Sequence, residues 1–272
     1  MSAPSNQKFR IALSSDFLRP DGSLSYPMFD LAPLQNDKWI EMEFISSTNG
    51  EMSGDVLKDF DALILLAPKF TRGSVVAESR LAVVARFGVG YDTVDVGACT
   101  DNGIPLVITP DGVRRPVAVS ILTLMLALTG KLIVKNQLTR QGSAGFARRS
   151  QHMGIGLVGL TLGSLGVGSI GAELFRLAAP FDMKFIAHDP FISTKHAKDL
   201  GIELVSLEDL FRRSDVLTIN CPLTESTRYI VNEKRLGWMK SSAYLINTFR
   251  GPVVDQKALP RSYWKIGLLE QA

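Results

Sequence analysis

Cysteine and histidine are scarce in this sequence, with two cysteines and three histidines in 272 residues. Cys99 and Cys221 stand far apart and each is alone, which excludes a disulfide framework and the paired spacing of zinc or redox sites. No metal is expected. Clustered positive charge is lacking too. Lys and Arg number 30 against 27 Asp and Glu, a net charge of +3, and the pairs Arg114-Arg115 and Arg148-Arg149 are isolated. They read as solvated surface, and no nucleic-acid partner is expected. Long apolar runs are missing as well. The longest, 117–128, is interrupted by Ser120 and Thr123 and reads as too short to cross a bilayer. The opening residues MSAPSNQKFR lack the apolar core of a signal peptide. The expectations are no membrane partner and a reducing, cytoplasmic setting.

What is present is an ordinary globular composition, 46% hydrophobic and 21% charged, in a chain long enough for two domains. Short apolar runs at 9–13 (FRIAL), 41–45 (EMEFI), 62–67 (ALILLA), 81–87 (LAVVARF) and 106–108 (LVI) alternate with helical patterns. Such alternation implies a parallel sheet covered on both faces. Pro116 suits the first turn of a helix, and 117–132 is apolar nearly all round, which predicts burial on several faces, including a homodimer contact. Residues 141–156, rich in Gly, Ser and Arg, read as a linker. A second α/β unit follows, with Ser206 and Asp209 close to a capping box and buried strands at 215–220 and 243–247. The division is expected at 1–116 and 117–272.

The most informative segment is 162–171, LGSLGVGSIG, an apolar strand feeding a G-x-G-x-x-G turn and a helix, with the strand 185–189 (FIAHD) after it. Gly166 makes the tight turn, Gly168 lets backbone approach a pyrophosphate, and Gly171 permits close helix packing. With Ser169 and Ile170 these residues open the helix whose N-terminus favours an anion. Asp189, 21 residues beyond Gly168, is placed to accept from the adenosine ribose hydroxyls and to repel a 2′-phosphate. The expected cofactor is NAD.

Three further blocks extend the pattern: FGVGYDTVD at 87–95, SDV at 214–216 running on to NCPLTESTR at 220–228, and MKSSAYLINTFRGPVVD at 239–255. With these the chain resembles the D-isomer-specific 2-hydroxyacid dehydrogenases over roughly 60–259. The resemblance implies two parallel-sheet domains, a flavodoxin-like substrate domain and a Rossmann NAD-binding domain. It implies a small 2-hydroxy or 2-oxo acid as substrate, its carboxylate held by N–H groups around Gly88, Val89 and Gly90. Arg250 grips the carboxylate and carbonyl in this reading and also borders the cofactor; a surface ion pair is the plainer alternative. Thr248 and Phe249 border the nicotinamide, and Cys221 and Pro222 the adenosine. For Cys221 a buried small hydrophobe is an equal reading. Lys69 and Arg72 either meet an anionic tail or face solvent.

Some features depart from the family pattern. The family's Glu and His are expected downstream of Arg250, and no His follows Arg250 in this sequence. His152 and His196 read as exposed, and His188 as adenine-side. The chain is therefore read as a shortened member, impaired in turnover, with the strand 243–249 left as an apolar sheet edge. The tail resembles a contracted K-I-x-G-x-G-L-D-V-F-E, and no catalytic role is carried onto Glu270. Val119 replaces a family Glu, and Pro260 is expected to break a helix. The alternatives are a non-catalytic NAD(H) sensor resembling a co-repressor and a truncated product without function.

Overall fold

In the computed structural model, which describes residues 7–259 and the backbone of 266–268, the chain divides into two units, Met1–Pro110 and Asp111–Ala272. The boundary expected after residue 116 thus falls after Pro110.

In the first unit the apolar runs become parallel strands β1 (Phe9–Ser14), β2 (Ile40–Ile45), β3 (Ala62–Leu65), β4 (Val83–Arg86) and β5 (Leu106–Val107). Helices α1 (Ala32–Gln35), α2 (Gly54–Leu57) and α3 (Val96–Asp101) connect them. The strand order is β2-β1-β3-β4-β5, the flavodoxin-like doubly wound order. Period-two alternation sorts the side chains onto two faces. Ala12, Leu63 and Val84 pack with Leu57 and Cys99 on one, and Ile11, Leu13 and Ala62 with Phe17 and Leu31 on the other.

The second unit begins on α4 (Pro110–Thr129), followed by α5 (Leu132–Arg140), α6 (Ser143–Ala147), β6 (Thr161–Leu165), α7 (Ser169–Ala178) and β7 (Lys184–His188). Then come α8 (Thr194–Asp199), β8 (Ile202–Leu204), α9 (Leu207–Arg213), β9 (Val216–Ile219), α10 (Glu233–Leu236), β10 (Tyr244–Asn247) and β11 (Ile266–Leu268). The parallel order β11-β10-β9-β6-β7-β8 is that of a Rossmann sheet, with its direction reversing between β6 and β9. Ser206 caps α9 by accepting from the Asp209 N–H, 3.0 Å, as the capping signal predicts.

Several expectations are corrected here. The long helix starts at Pro110, so Pro116 lies inside it; with two prolines available, the earlier one takes the first turn and the later one forgoes a backbone bond. The helix ends at Thr129, because Lys131 turns left-handed at φ 51° and α5 starts afresh at Leu132. Burial follows one stripe, Ala118, Ile121, Met125 and Thr129, while Val119 and Leu126 are exposed. By length and composition alone α4 is long and apolar enough to cross a membrane, contrary to the shorter reading of 117–128. Ala118, Ile121 and Met125 of this stripe belong to the same apolar core as Leu174, Phe175 and Ile246. Arg115 is more than solvated surface, since it meets the buried Glu173 of α7 at 2.7 Å.

The segment read as a linker holds α6 and a 3-10 turn, Arg149–His152, and His152 is half-buried. The strand expected to be a bare edge is paired, since β10 lies in parallel register with β11, Leu245 opposite Ile266. Pro260 and Glu270 lie outside the described residues.

Candidate functional site

The switch point between β6 and β9 is the centre of the site. β6 ends at Leu165, and Gly166 turns the chain at φ +93°, a conformation that favours glycine. A Cβ on Gly166 would lie 3.0 Å from the carbonyl carbon and oxygen of Asn220 and from the Cys221 nitrogen, so the turn sits directly against the end of β9. At Gly171 a Cβ would come within 2.8 Å of the Gly166 oxygen, which ties the first turn of α7 to the strand it follows. Gly168 is different: it is exposed, and a Cβ there would meet nothing within 4 Å. It is also the N-cap of α7, a ten-residue helix, and provides no side-chain cap. The first N–H groups of α7 therefore have no side-chain cap, as an anion cradle requires. A dinucleotide pyrophosphate fits it.

Asp189, half-buried at the end of β7, is fixed by three backbone donors. Its Oδ2 accepts from the Val167 N–H at 2.7 Å, and its Oδ1 from Phe191 at 2.8 Å and Ile192 at 3.2 Å. A carboxylate offers about four acceptor positions, so capacity for a ribose hydroxyl remains on Oδ2. The same contacts make Asp189 a brace for the glycine turn, a duty the motif alone does not reveal. Asp189→Ala is expected to leave three N–H groups without their acceptor and to destabilise the fold by about 1–3 kcal/mol. Thermal melting would register this as a fall of several degrees, and an unchanged melting temperature would refute the bracing role.

His188 Nδ1 lies 3.0 Å from the Val205 carbonyl; because a carbonyl only accepts, Nδ1 carries the proton. Cys221 is buried, and burial, with the Asp189 charge, pushes its thiol up to about 11. At neutral pH it is an uncharged thiol, not a nucleophile. Pro222 beside it is exposed.

At the same carboxyl edge of the sheet, two strands away from β6, β10 leads into Thr248, Phe249 and Arg250. Asn247, buried, holds this turn from both sides: its Nδ2 donates to the Arg250 carbonyl at 3.0 Å, and its Oδ1 accepts from the Phe249 N–H at 3.0 Å. Arg250, half-buried, donates from Nη1 to the Phe249 carbonyl at 3.3 Å, and it stands at the carboxyl end of the sheet, where ligands of such folds bind.

Residues 122–263 match the family model of the D-isomer specific 2-hydroxyacid dehydrogenase, NAD binding domain. The chain belongs to that family. The D-3-phosphoglycerate dehydrogenase of Methanocaldococcus jannaschii is 36% identical over 221 residues, 80% of this chain and 42% of the relative. The glyoxylate reductase of Thermococcus kodakarensis is 38% identical over 211 residues, 76% of this chain and 63% of the relative. The chain thus spans less than two thirds of the length of these curated relatives. Among solved structures, D-lactate dehydrogenase from Aquifex aeolicus, complexed with NAD and lactic acid, superposes with a TM-score of 0.77 at 27% identity. That match covers 96% of this chain and 77% of the other.

In this dehydrogenase family member the second unit is the NAD-binding domain, and the predicted Gly166, Gly168, Ser169, Ile170, Gly171, Asp189, Cys221 and Pro222 all lie around its switch point. Thr248, Phe249 and Arg250 stand at the end of β10. Gly88, Val89 and Gly90 belong to the first unit, at the end of β4. There Gly88 adopts φ +134°, and its N–H is donated to Thr109 Oγ1 at 3.0 Å, while its carbonyl accepts from the Thr109 N–H at 2.9 Å. Gly88 therefore shapes the loop and has already placed its own proton. Val89 and Gly90 donate to no backbone carbonyl among the described residues. Arg72 pairs with Asp101 at 2.7 Å, which answers the reading of it as a cation awaiting an anionic tail. Sequence reasoning missed Asn247, Thr109 and Asn220. Asn247 had a signal, an amide ending a strand before an irregular turn; the other two had none.

Proposed function

We propose that this protein is an NAD-dependent oxidoreductase that moves hydride between the cofactor and a small 2-hydroxy or 2-oxo acid. The observation that carries the reading is Arg250 at the carboxyl end of β10, in the sheet whose switch point forms the anion cradle at Gly168. NAD, when bound, supplies the nicotinamide carbon that carries the hydride. The α7 N-terminus receives the pyrophosphate, and Asp189 accepts from the ribose and disfavours a 2′-phosphate. The Arg250 guanidinium, a planar two-pronged donor, holds the acid's carboxylate and carbonyl. In the first unit, the N–H groups of Val89 and Gly90 offer donors to a carboxylate, with Gly88 setting the loop. The test is NADH consumption on adding glyoxylate, hydroxypyruvate or bulkier 2-oxo acids. Binding without consumption would favour a second reading, a non-catalytic NAD(H) sensor. One observation supports that reading: His188 is bonded to Val205 and His196 lies exposed on α8, while β10 and its following turn contain no histidine.

We also propose a homodimer through α4 and α5. Val119, Leu126, Leu132 and Ile133 are exposed, Ile133 to 70%, and large apolar side chains left exposed on neighbouring helices favour a partner. Sedimentation is expected to give a dimer, and Ile133→Asp a monomer; a monomeric parent chain would count against the proposal. The two free, buried cysteines support a reducing, cytoplasmic setting.

A further inference from the structure

Ser164 interrupts the apolar strand β6 with a hydroxyl that is fully buried, 0% exposed. Alternation puts it on the face of Leu162, whose apolar core includes Leu174 and Phe175 of α7, and a Cβ on Gly171 would stand 3.6 Å from its Oγ. A hydroxyl buried there costs stability unless it is bonded. Ser164 Oγ donates to the Gly166 carbonyl at 2.6 Å. With that proton committed, it accepts from Asn220 Nδ2 at 2.8 Å. The same Nδ2 donates at 2.9 Å to Thr218 Oγ1, whose proton goes to the Gly163 carbonyl at 3.3 Å. Asn220 is itself fixed to β6, its N–H donating to the Leu165 carbonyl at 2.8 Å.

The Gly166 carbonyl and the Val167 N–H belong to one planar peptide group. Asp189 Oδ2 holds the N–H at 2.7 Å, so Ser164 grips one end of this plane and Asp189 the other. The preceding peptide is held as well, the Gly166 N–H donating to the His188 carbonyl at 3.0 Å. A glycine at φ +93° has other backbone conformations within easy reach, so the orientation of the plane depends on these partners. Gly168, the N-cap of α7, comes directly after it. Among the described residues Thr218 makes no bond to the turn and touches this arrangement only through Asn220.

We infer that Ser164, oriented by Asn220, is a positioning residue for the pyrophosphate cradle. Its hydroxyl locks the Gly166–Val167 peptide and thereby sets the direction in which the chain enters α7. Buried beneath the turn, it acts through the backbone and not on the ligand. The inference rests on the NAD-binding reading and adds to it a residue that lies two positions before the glycine motif.

Titration of the chain and of Ser164→Ala, Ser164→Cys and Thr218→Val with NADH, ADP and adenosine, with melting of each ligand-free protein, tests it. Ser164→Ala is expected to weaken NADH and ADP about tenfold and to leave adenosine, which has no phosphate, unchanged. Ser164→Cys keeps the volume and offers only a weak donor, so it is expected to show the same pattern without a cavity. Thr218→Val removes a hydroxyl from the same buried network and is expected to lower the melting temperature while all three affinities stay at the parent values. NADH and ADP bound as tightly by both Ser164 variants as by the parent would overturn the inference, whatever the melting temperatures. Equal losses for adenosine, or the same losses in Thr218→Val, would also overturn it, since they mark a general loosening of the sheet. Failure of the parent chain to bind NADH or ADP would instead overturn the NAD-binding reading, and the inference with it.

Discussion

Gly166→Ala is expected to weaken NADH binding by at least about 100-fold and to lower the melting temperature by several degrees. Two effects act together. At φ +93° a side-chain-bearing residue is strained by about 1–3 kcal/mol. The added methyl would also sit 3.0 Å from backbone atoms of Asn220 and Cys221, which cannot rotate away as a flexible side chain can. The turn must therefore move, and with it the Val167 N–H that Asp189 holds at 2.7 Å and the start of α7. The pyrophosphate cradle depends on all three. Fluorescence titration with NADH beside a thermal melt would check this, and a variant that binds NADH like the parent chain would remove Gly166 from the site.

Arg250→Ala is expected to act on the other ligand. Losing a bidentate grip on a 2-oxo acid removes two charge-assisted hydrogen bonds, each worth about 1.5–3 kcal/mol. Affinity of the NADH complex for the acid should fall by at least about 100-fold, while NADH affinity changes by no more than about threefold. Arg250→Lys should recover only part of the loss, because an ammonium cannot reproduce the planar fork. Titration of the NADH complexes with a 2-oxo acid measures the effect. Equal affinities in parent and variant would reduce Arg250 to a surface ion-pairing residue.

These two predictions draw on parts of the molecule that differ in how far the sequence announces them. The turn at 166–171 was legible because each glycine answers a local requirement, and the strands because short apolar runs bounded by Gly and Pro have few other solutions. The start of α4 was not: Pro110 and Pro116 both fit a first turn, and tertiary packing of Ala118, Ile121 and Met125 decides how far the helix extends. The pairing of β10 with β11 depends on contacts between distant segments that no local pattern encodes. The roles of Asn220 and Thr109 were hidden for a related reason. A side-chain amide or hydroxyl declares its partner only once strands are in register, and Gly88 looked like a free donor until Thr109 was seen to take its proton.

The measurement that bears most directly on the central claim is transfer of the hydride itself. The purified chain, at high concentration, would be mixed with NADH deuterated at the nicotinamide C4 and with each 2-oxo acid, and the products weighed by mass spectrometry. The account predicts a 2-hydroxy acid carrying deuterium at C2, formed by the parent chain and lost with Arg250→Ala. NADH bound to saturation with no deuterated hydroxy acid from any of these substrates would contradict it and leave a cofactor-binding protein without the reaction.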